Sequence, residues 1–61
     1  PPQPLKQPPA RWLNGPERIQ GGWWDGDYVR RDYYIALLDN GQRAWLFRNQ
    51  KNQWFIHGWF G

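Results

Sequence analysis

The chain has no cysteine and no methionine, and its 61 residues include no serine and no threonine. Without cysteine there can be no disulfide and no thiolate metal site. With neither an alcohol nor a thiol nucleophile, hydrolases of the triad type are excluded. The lone histidine, His57, is the only conventional general base and cannot assemble a zinc site by itself. It lies in an aromatic run, where packing or interface contact is its expected role. No apolar stretch approaches the roughly 18 residues of a membrane span, and no hydrophobic leader segment opens the chain. The lack of cysteine fits a reducing compartment. The chain opens on Pro1-Pro2 without a methionine and reads as a fragment of something longer.

What the chain does have is rings. Six Trp, three Tyr and three Phe make one residue in five aromatic. A domain this short buries only roughly 60% of the surface its unfolded chain exposes, so such bulk, or a partner, must supply its stability. The net charge of +3 tolerates nucleic acid or an acidic protein surface without demanding either.

Two regions follow one another. Pro1, Pro2, Pro4, Pro8 and Pro9 crowd the first ten residues. Proline locks φ and removes a donor, so this stretch is expected to be a disordered lead with no ladder bonds. Residues 1–13 are read as a linker and 14–61 as a small β domain. Pro1-Pro2-Gln3-Pro4 also fits the P-x-x-P pattern of SH3 and WW ligands, although such stretches serve more often as spacers.

Beyond the lead, aromatic and β-branched residues dominate. Four strand-like runs are predicted: Glu17 to Trp24, Asp32 to Asp39, Gln42 to Arg48, and Gln53 to Phe60. The fold class is therefore all-β, a twisted antiparallel meander of three to four strands, open or closed into a small barrel. Asp25-Gly26-Asp27 reads as a turn, and Tyr28 to Arg31 as one helical turn capped by Asp27, or as loop. Asn40-Gly41 predicts a two-residue type I′ hairpin, which sets Leu38 opposite Arg43, Ala36 opposite Trp45 and Tyr34 opposite Phe47. A four-residue loop at Asn49 to Asn52 sets Phe47 opposite Trp54 and Trp45 opposite Ile56. One face then carries Tyr34, Ala36, Leu38, Trp45, Phe47, Trp54 and Ile56. The other carries Tyr33, Ile35, Leu37, Ala44, Leu46, Phe55 and His57. Both faces are apolar, and Trp12, Ile19, Trp23, Trp24 and Val29 can curl over only one of them. The other is either covered by a partner or enclosed by strong twist.

Three constellations could carry chemistry. Asp25, Asp27 and Asp32 have the residue type that holds magnesium, but Asp-Gly turns and pairing of Asp32 with Arg30 or Arg31 explain them more simply. No metal, cofactor or small-molecule substrate is expected. Arg30, Arg43, Arg48 and Lys51 beside Trp54 mix cations with a ring, as single-stranded DNA sites do. Exposed Trp and Tyr beside Arg, finally, are the residue types that dominate protein interfaces. On that ground Trp23, Trp24, Arg31, Tyr33, Trp45 and Trp59 are the candidate partner-binding residues, and no residue is a catalytic candidate.

Several strings point to a family. Gly15-Pro16-Glu17-Arg18-Ile19 is followed by Gly22-Trp23-Trp24-Asp25-Gly26, Val29-Arg30-Arg31-Asp32-Tyr33-Tyr34, Ala44-Trp45-Leu46-Phe47-Arg48 and Trp54-Phe55-Ile56-His57-Gly58-Trp59-Phe60. Their order resembles the C-terminal domain of ImuB-type proteins, over about Gly15 to Gly61. The resemblance implies a Y-family polymerase-like parent that has lost its catalytic carboxylates and acts as a hub in bacterial damage-induced mutagenesis. It implies as partners an error-prone C-family DNA polymerase and an ImuA-type RecA-like protein. The sliding clamp would be bound only through upstream regions absent here. It also implies a cytoplasmic, nucleoid-associated setting. The expected function is a non-catalytic protein–protein interaction module. Two other readings stay open. One is a single-stranded or primer–template DNA-binding module. The other is a structural cap on the parent's preceding domain, formed by the Gly-Trp-Trp and His-Gly-Trp-Phe strings.

Overall fold

The computed structural model describes residues 1–21 and 29–60. They form one open antiparallel sheet of five strands: β1 (Gln3–Pro4), β2 (Arg11–Gly21), β3 (Val29–Leu37), β4 (Arg43–Asn49) and β5 (Trp54–Trp59). The spatial order is β1-β5-β4-β3-β2. The all-β antiparallel expectation holds, with one strand more than the pattern suggested. Val29 to Arg31 belong to β3 rather than to a helical turn.

The hairpins differ from expectation in a way that reorders the faces. Between β3 and β4, Leu38 N–H bonds to the Gln42 carbonyl at 2.8 Å and Gly41 N–H to the Leu38 carbonyl at 2.9 Å. Gly41 sits at φ 84°. This is a three-residue loop closed by a left-handed residue, not a two-residue type I′ turn. The second hairpin repeats it: Asn49 N–H reaches the Gln53 carbonyl and Asn52 N–H the Asn49 carbonyl, both at 3.0 Å. Asn52 stands at φ 62°, a conformation asparagine tolerates better than most residues. The Asn49 side-chain oxygen accepts from Lys51 and Gln53 N–H, each at 2.9 Å.

Each loop shifts its hairpin by one residue. Tyr33 faces Phe47, Ile35 faces Trp45 and Ala36 faces Ala44, while Phe47 faces Phe55 and Leu46 faces Ile56. The two shifts cancel between β3 and β5 and leave β4 alone turned over, because side chains alternate with period two. Ala44 and Leu46 thus join Tyr34, Ala36, Trp54 and Ile56. Trp45 and Phe47 join Tyr33, Phe55 and His57.

The first set forms the core. Ala36, Ala44 and Leu46 are fully buried, with Leu5, Leu38 and Ile56 packed against them. Their cover comes from the proline-rich lead, which is part of the fold rather than a disordered tether. Gln3 and Pro4 pair with Ile56 and Phe55, and Leu5 N–H bonds to the Trp54 carbonyl at 3.0 Å. β1 lies at one edge of the sheet and β2 at the other, so residues 5–10 cross from edge to edge as a strap. Proline is tolerated in β1 because an edge strand needs ladder donors on one side only. Trp12 closes this side, its ring 5.1 Å from Tyr34 and 5.2 Å from Trp54.

β2 begins at Arg11, well before the expected Glu17. Gly15-Pro16 reads as a breaker, yet two register irregularities absorb it, and Trp12 still pairs with Ala36. Such bulges on an edge strand discourage pairing with other chains. Gly15 is at φ 113°, and a Cβ there would lie 2.6 Å from the Tyr33 carbonyl oxygen.

Gly15→Ala should therefore lower stability by about 2–3 kcal/mol through strain and steric conflict, read as a fall in thermal midpoint. Leu5→Ala, at the strap, should cost about 1–2 kcal/mol from lost apolar burial. A domain of this size would then melt roughly 5–10 °C lower, whereas a lead lying outside the fold would leave its midpoint unchanged.

Candidate protein-docking face

The side of the sheet away from the strap carries a continuous plate of rings. β3 supplies Arg31 and Tyr33, β4 supplies Trp45 and Phe47, and β5 supplies Phe55 and His57. Tyr33 lies at the centre, 4.8 Å from Trp45, 5.3 Å from Phe47 and 5.4 Å from His57, centroid to centroid. Phe47 and Phe55 stack at 5.3 Å. His57 arrives by a register shift: Leu46 pairs with Ile56 but Trp45 pairs with Gly58. The extra residue, His57, sits 4.6 Å from the Trp45 ring.

Polar groups tie the plate together. Arg31 Nη1 donates to Tyr33 Oη at 3.1 Å. Tyr33 Oη lies 3.1 Å from His57 Nδ1, a hydrogen bond whose direction follows the imidazole tautomer. The Arg31 guanidinium stands 4.3 Å over the Phe47 ring, a favourable cation–π arrangement. Tyr33 and Phe47 form a floor, 7% and 3% exposed, while Trp45 keeps 38% of its surface open. Two hollows of about 330 Å³ flank the plate. One is walled by Asn14 to Glu17 and Trp45. The other is walled by Pro2, Arg31, Phe47 and Phe55.

The strap side holds the ion pairs. Asp32 is buried and receives Arg18 Nε at 2.7 Å and Nη2 at 3.2 Å, with Arg48 Nη2 at 3.5 Å. Its partners thus come from across the ladder rather than from Arg30 or Arg31. Arg31 points to the opposite face, as strand neighbours do. The Arg18 hydrogen bond, opposed by desolvation and aided by the Arg18 charge, a hydrogen bond from Arg48 and the Arg30 charge, holds the Asp32 carboxyl below the ordinary carboxylate range.

Of the residues singled out for partner binding, Arg31, Tyr33 and Trp45 are brought together. Trp59 is exposed but pairs with Ala44 and belongs to the strap side. Trp23 and Trp24 lie outside the described residues. Phe47, Phe55 and His57 were missing from that set. The alternation Trp45-x-Phe47 and Phe55-x-His57 contains them once β4 is turned over. The set proposed for DNA is scattered. Arg30, Arg48 and Trp54 lie on the strap side, Arg43 pairs with Leu37 at the far end of the hairpin, and Lys51 is in a turn. Asp25 and Asp27 lie outside the described residues, and Asp32 has both oxygens engaged by arginine. Among the described residues no cluster of acidic and histidine side chains could hold a metal, and no helix is long and apolar enough to cross a membrane.

Fold and face together define a small open-sheet β domain with one strapped side and one aromatic side. In an alignment of 66 positions that covers 85% of the chain, it is 38% identical to Protein ImuB of Caulobacter vibrioides strain NA1000. It matches Protein ImuB of strain CB 15 to the same extent. It is an ImuB-like domain, as the shared motifs implied. The chain spans 14% of the length of these curated relatives. No family model and no solved structure matches it.

Replacing Asp32 by Asn should destabilise the fold by about 2–3 kcal/mol, since Arg18 and Arg48 lose their counter-charge. The carboxylate's contribution is present above its ordinary titration range and lost as pH falls through its lowered folded-state value. Stability measured by denaturant unfolding should thus decline below about pH 4. In Asp32→Asn that part of the acid limb should be absent.

Proposed function

We infer that this chain is a non-catalytic protein–protein docking module within a DNA-damage-induced mutagenesis complex. Membership among ImuB-like proteins supports the mutagenesis setting. The observation that supports docking is the aromatic plate with its exposed Trp45 and His57. Tyr33 and Phe47 form its buried floor, and Trp45, His57 and part of Phe55 stand open to solvent around the Arg31 guanidinium. Such surfaces are costly to leave in water and typical of interfaces. The error-prone C-family polymerase and the ImuA-type protein are the proposed clients, in the bacterial cytoplasm at the nucleoid. A DNA-binding role would need its cations along one track, and their dispersal over two faces and a turn favours docking instead.

The test is capture of each purified client by the immobilised chain. Trp45→Ala should keep the fold, because the indole is partly exposed, and should weaken capture by about 30-fold. Capture unaltered by Trp45→Ala, in a folded sample, removes the plate from the interface.

A further inference from the structure

The docking face carries a cation that meets no opposite charge among the described residues. Arg31 is half-buried over Phe47 and gives one hydrogen bond, from Nη1 to Tyr33 Oη. Among the described residues no carboxylate lies within 4.0 Å of it; the nearest along the strand, Asp32, points to the other side and is held by Arg18 and Arg48. The guanidinium is a rigid fork of donors, and most of this one is unspent. It borders the hollow of about 330 Å³ formed with Pro2, Phe47 and Phe55. Stacking on a ring fixes the fork before any ligand arrives, so little rotamer entropy remains to be lost on binding.

We propose that this hollow receives an acidic side chain from an extended segment of a protein partner, with an apolar side chain two residues away seated against Phe55 and Pro2. The proposal rests on the docking role given to the face. It is argued from charge: a lone guanidinium on an apolar plate selects a carboxylate, which it can grip with two parallel hydrogen bonds. The spacing follows from an extended chain, in which residues two apart share a side at about 7 Å. A nucleic-acid strand fits the face less well. It would need a run of exposed ring faces for stacking, whereas Tyr33 and Phe47 are buried by their neighbours and Trp45 alone of the three is open. It would also need a row of cations, whereas Arg18 and Arg48 are held by Asp32 on the far side.

The test uses the full chain and two blocked ten-residue peptides. In one, phenylalanine and aspartate alternate with glutamine; in the other, asparagine replaces aspartate. The aspartate peptide should bind about tenfold tighter by fluorescence anisotropy. Arg31→Gln should bring that ratio close to one, while Trp45→Ala weakens both peptides in parallel. If Arg31→Gln does not fold, Arg31→Lys, which keeps charge but loses the fork, should cut the ratio severalfold. Equal binding of the two peptides, binding by neither, or a ratio that survives the Arg31 variants overturns the proposal. So does an oligothymidylate that binds more tightly than the aspartate peptide in an Arg31-dependent way. The docking role is judged separately. Client capture lost in Trp45→Ala but kept in Arg31→Gln removes the acidic contact and leaves the dock, whereas capture indifferent to both removes the two together.

Discussion

The direction in which β4 presents its side chains depends on two residues at positive φ, Gly41 and Asn52. Each closes a three-residue loop, and each loop sets the register of its hairpin. Were either loop one residue shorter or longer, Trp45 and Phe47 would change places with Ala44 and Leu46 relative to one neighbouring strand. The small pair then could not sit against Ala36 beneath Leu5, and the rings could not surround Tyr33. Core and docking face are two readings of one backbone constraint. It follows that the tightest packing uses the smallest side chains. Ala36 and Ala44 let Leu46 and the strap approach the sheet closely, and the large rings are left for the other side.

Much of this was legible in the residues and some was not, for physical reasons. The strands of the meander and the apolar character of both faces came through, because alternation survives a one-residue slip. The register did not. Asn40-Gly41 favours a two-residue turn on local grounds, but packing of Leu46 against Ala36 and Ala44 outweighs that preference. The proline-rich lead was read as outside the fold because its missing donors forbid a central strand. They do not forbid an edge, and Leu5 supplies the donor that Pro4 lacks. Arg31, Tyr33 and Trp45 were identifiable as interface types, and they do converge. Phe47, Phe55 and His57 were missed because their grouping needs the true register. Trp59, singled out with Arg31, Tyr33 and Trp45, falls on the strap side because the extra residue at His57 turns everything after it over.

Charge is divided between the two sides in a way that composition alone conceals. A modest net charge of +3 contains a closed arginine–aspartate knot on the strap side and an open guanidinium on the plate. The knot uses Arg18 from β2 and Arg48 from β4 to hold Asp32 of β3, so it clamps three neighbouring strands together. The plate has no such internal partner among the described residues.

The edge-to-edge crossing of the lead has a consequence for how the molecule comes into being. Its hairpins join near neighbours along the chain and can form as they emerge during synthesis. Gln3 and Pro4, by contrast, precede the other strands along the chain, yet their ladder partners are Phe55 and Ile56. The opening segment must therefore wait, unpaired, until nearly the last strand exists. Completion of the domain is a long-range event, and until it occurs the buried leucine and alanines of the centre have no roof.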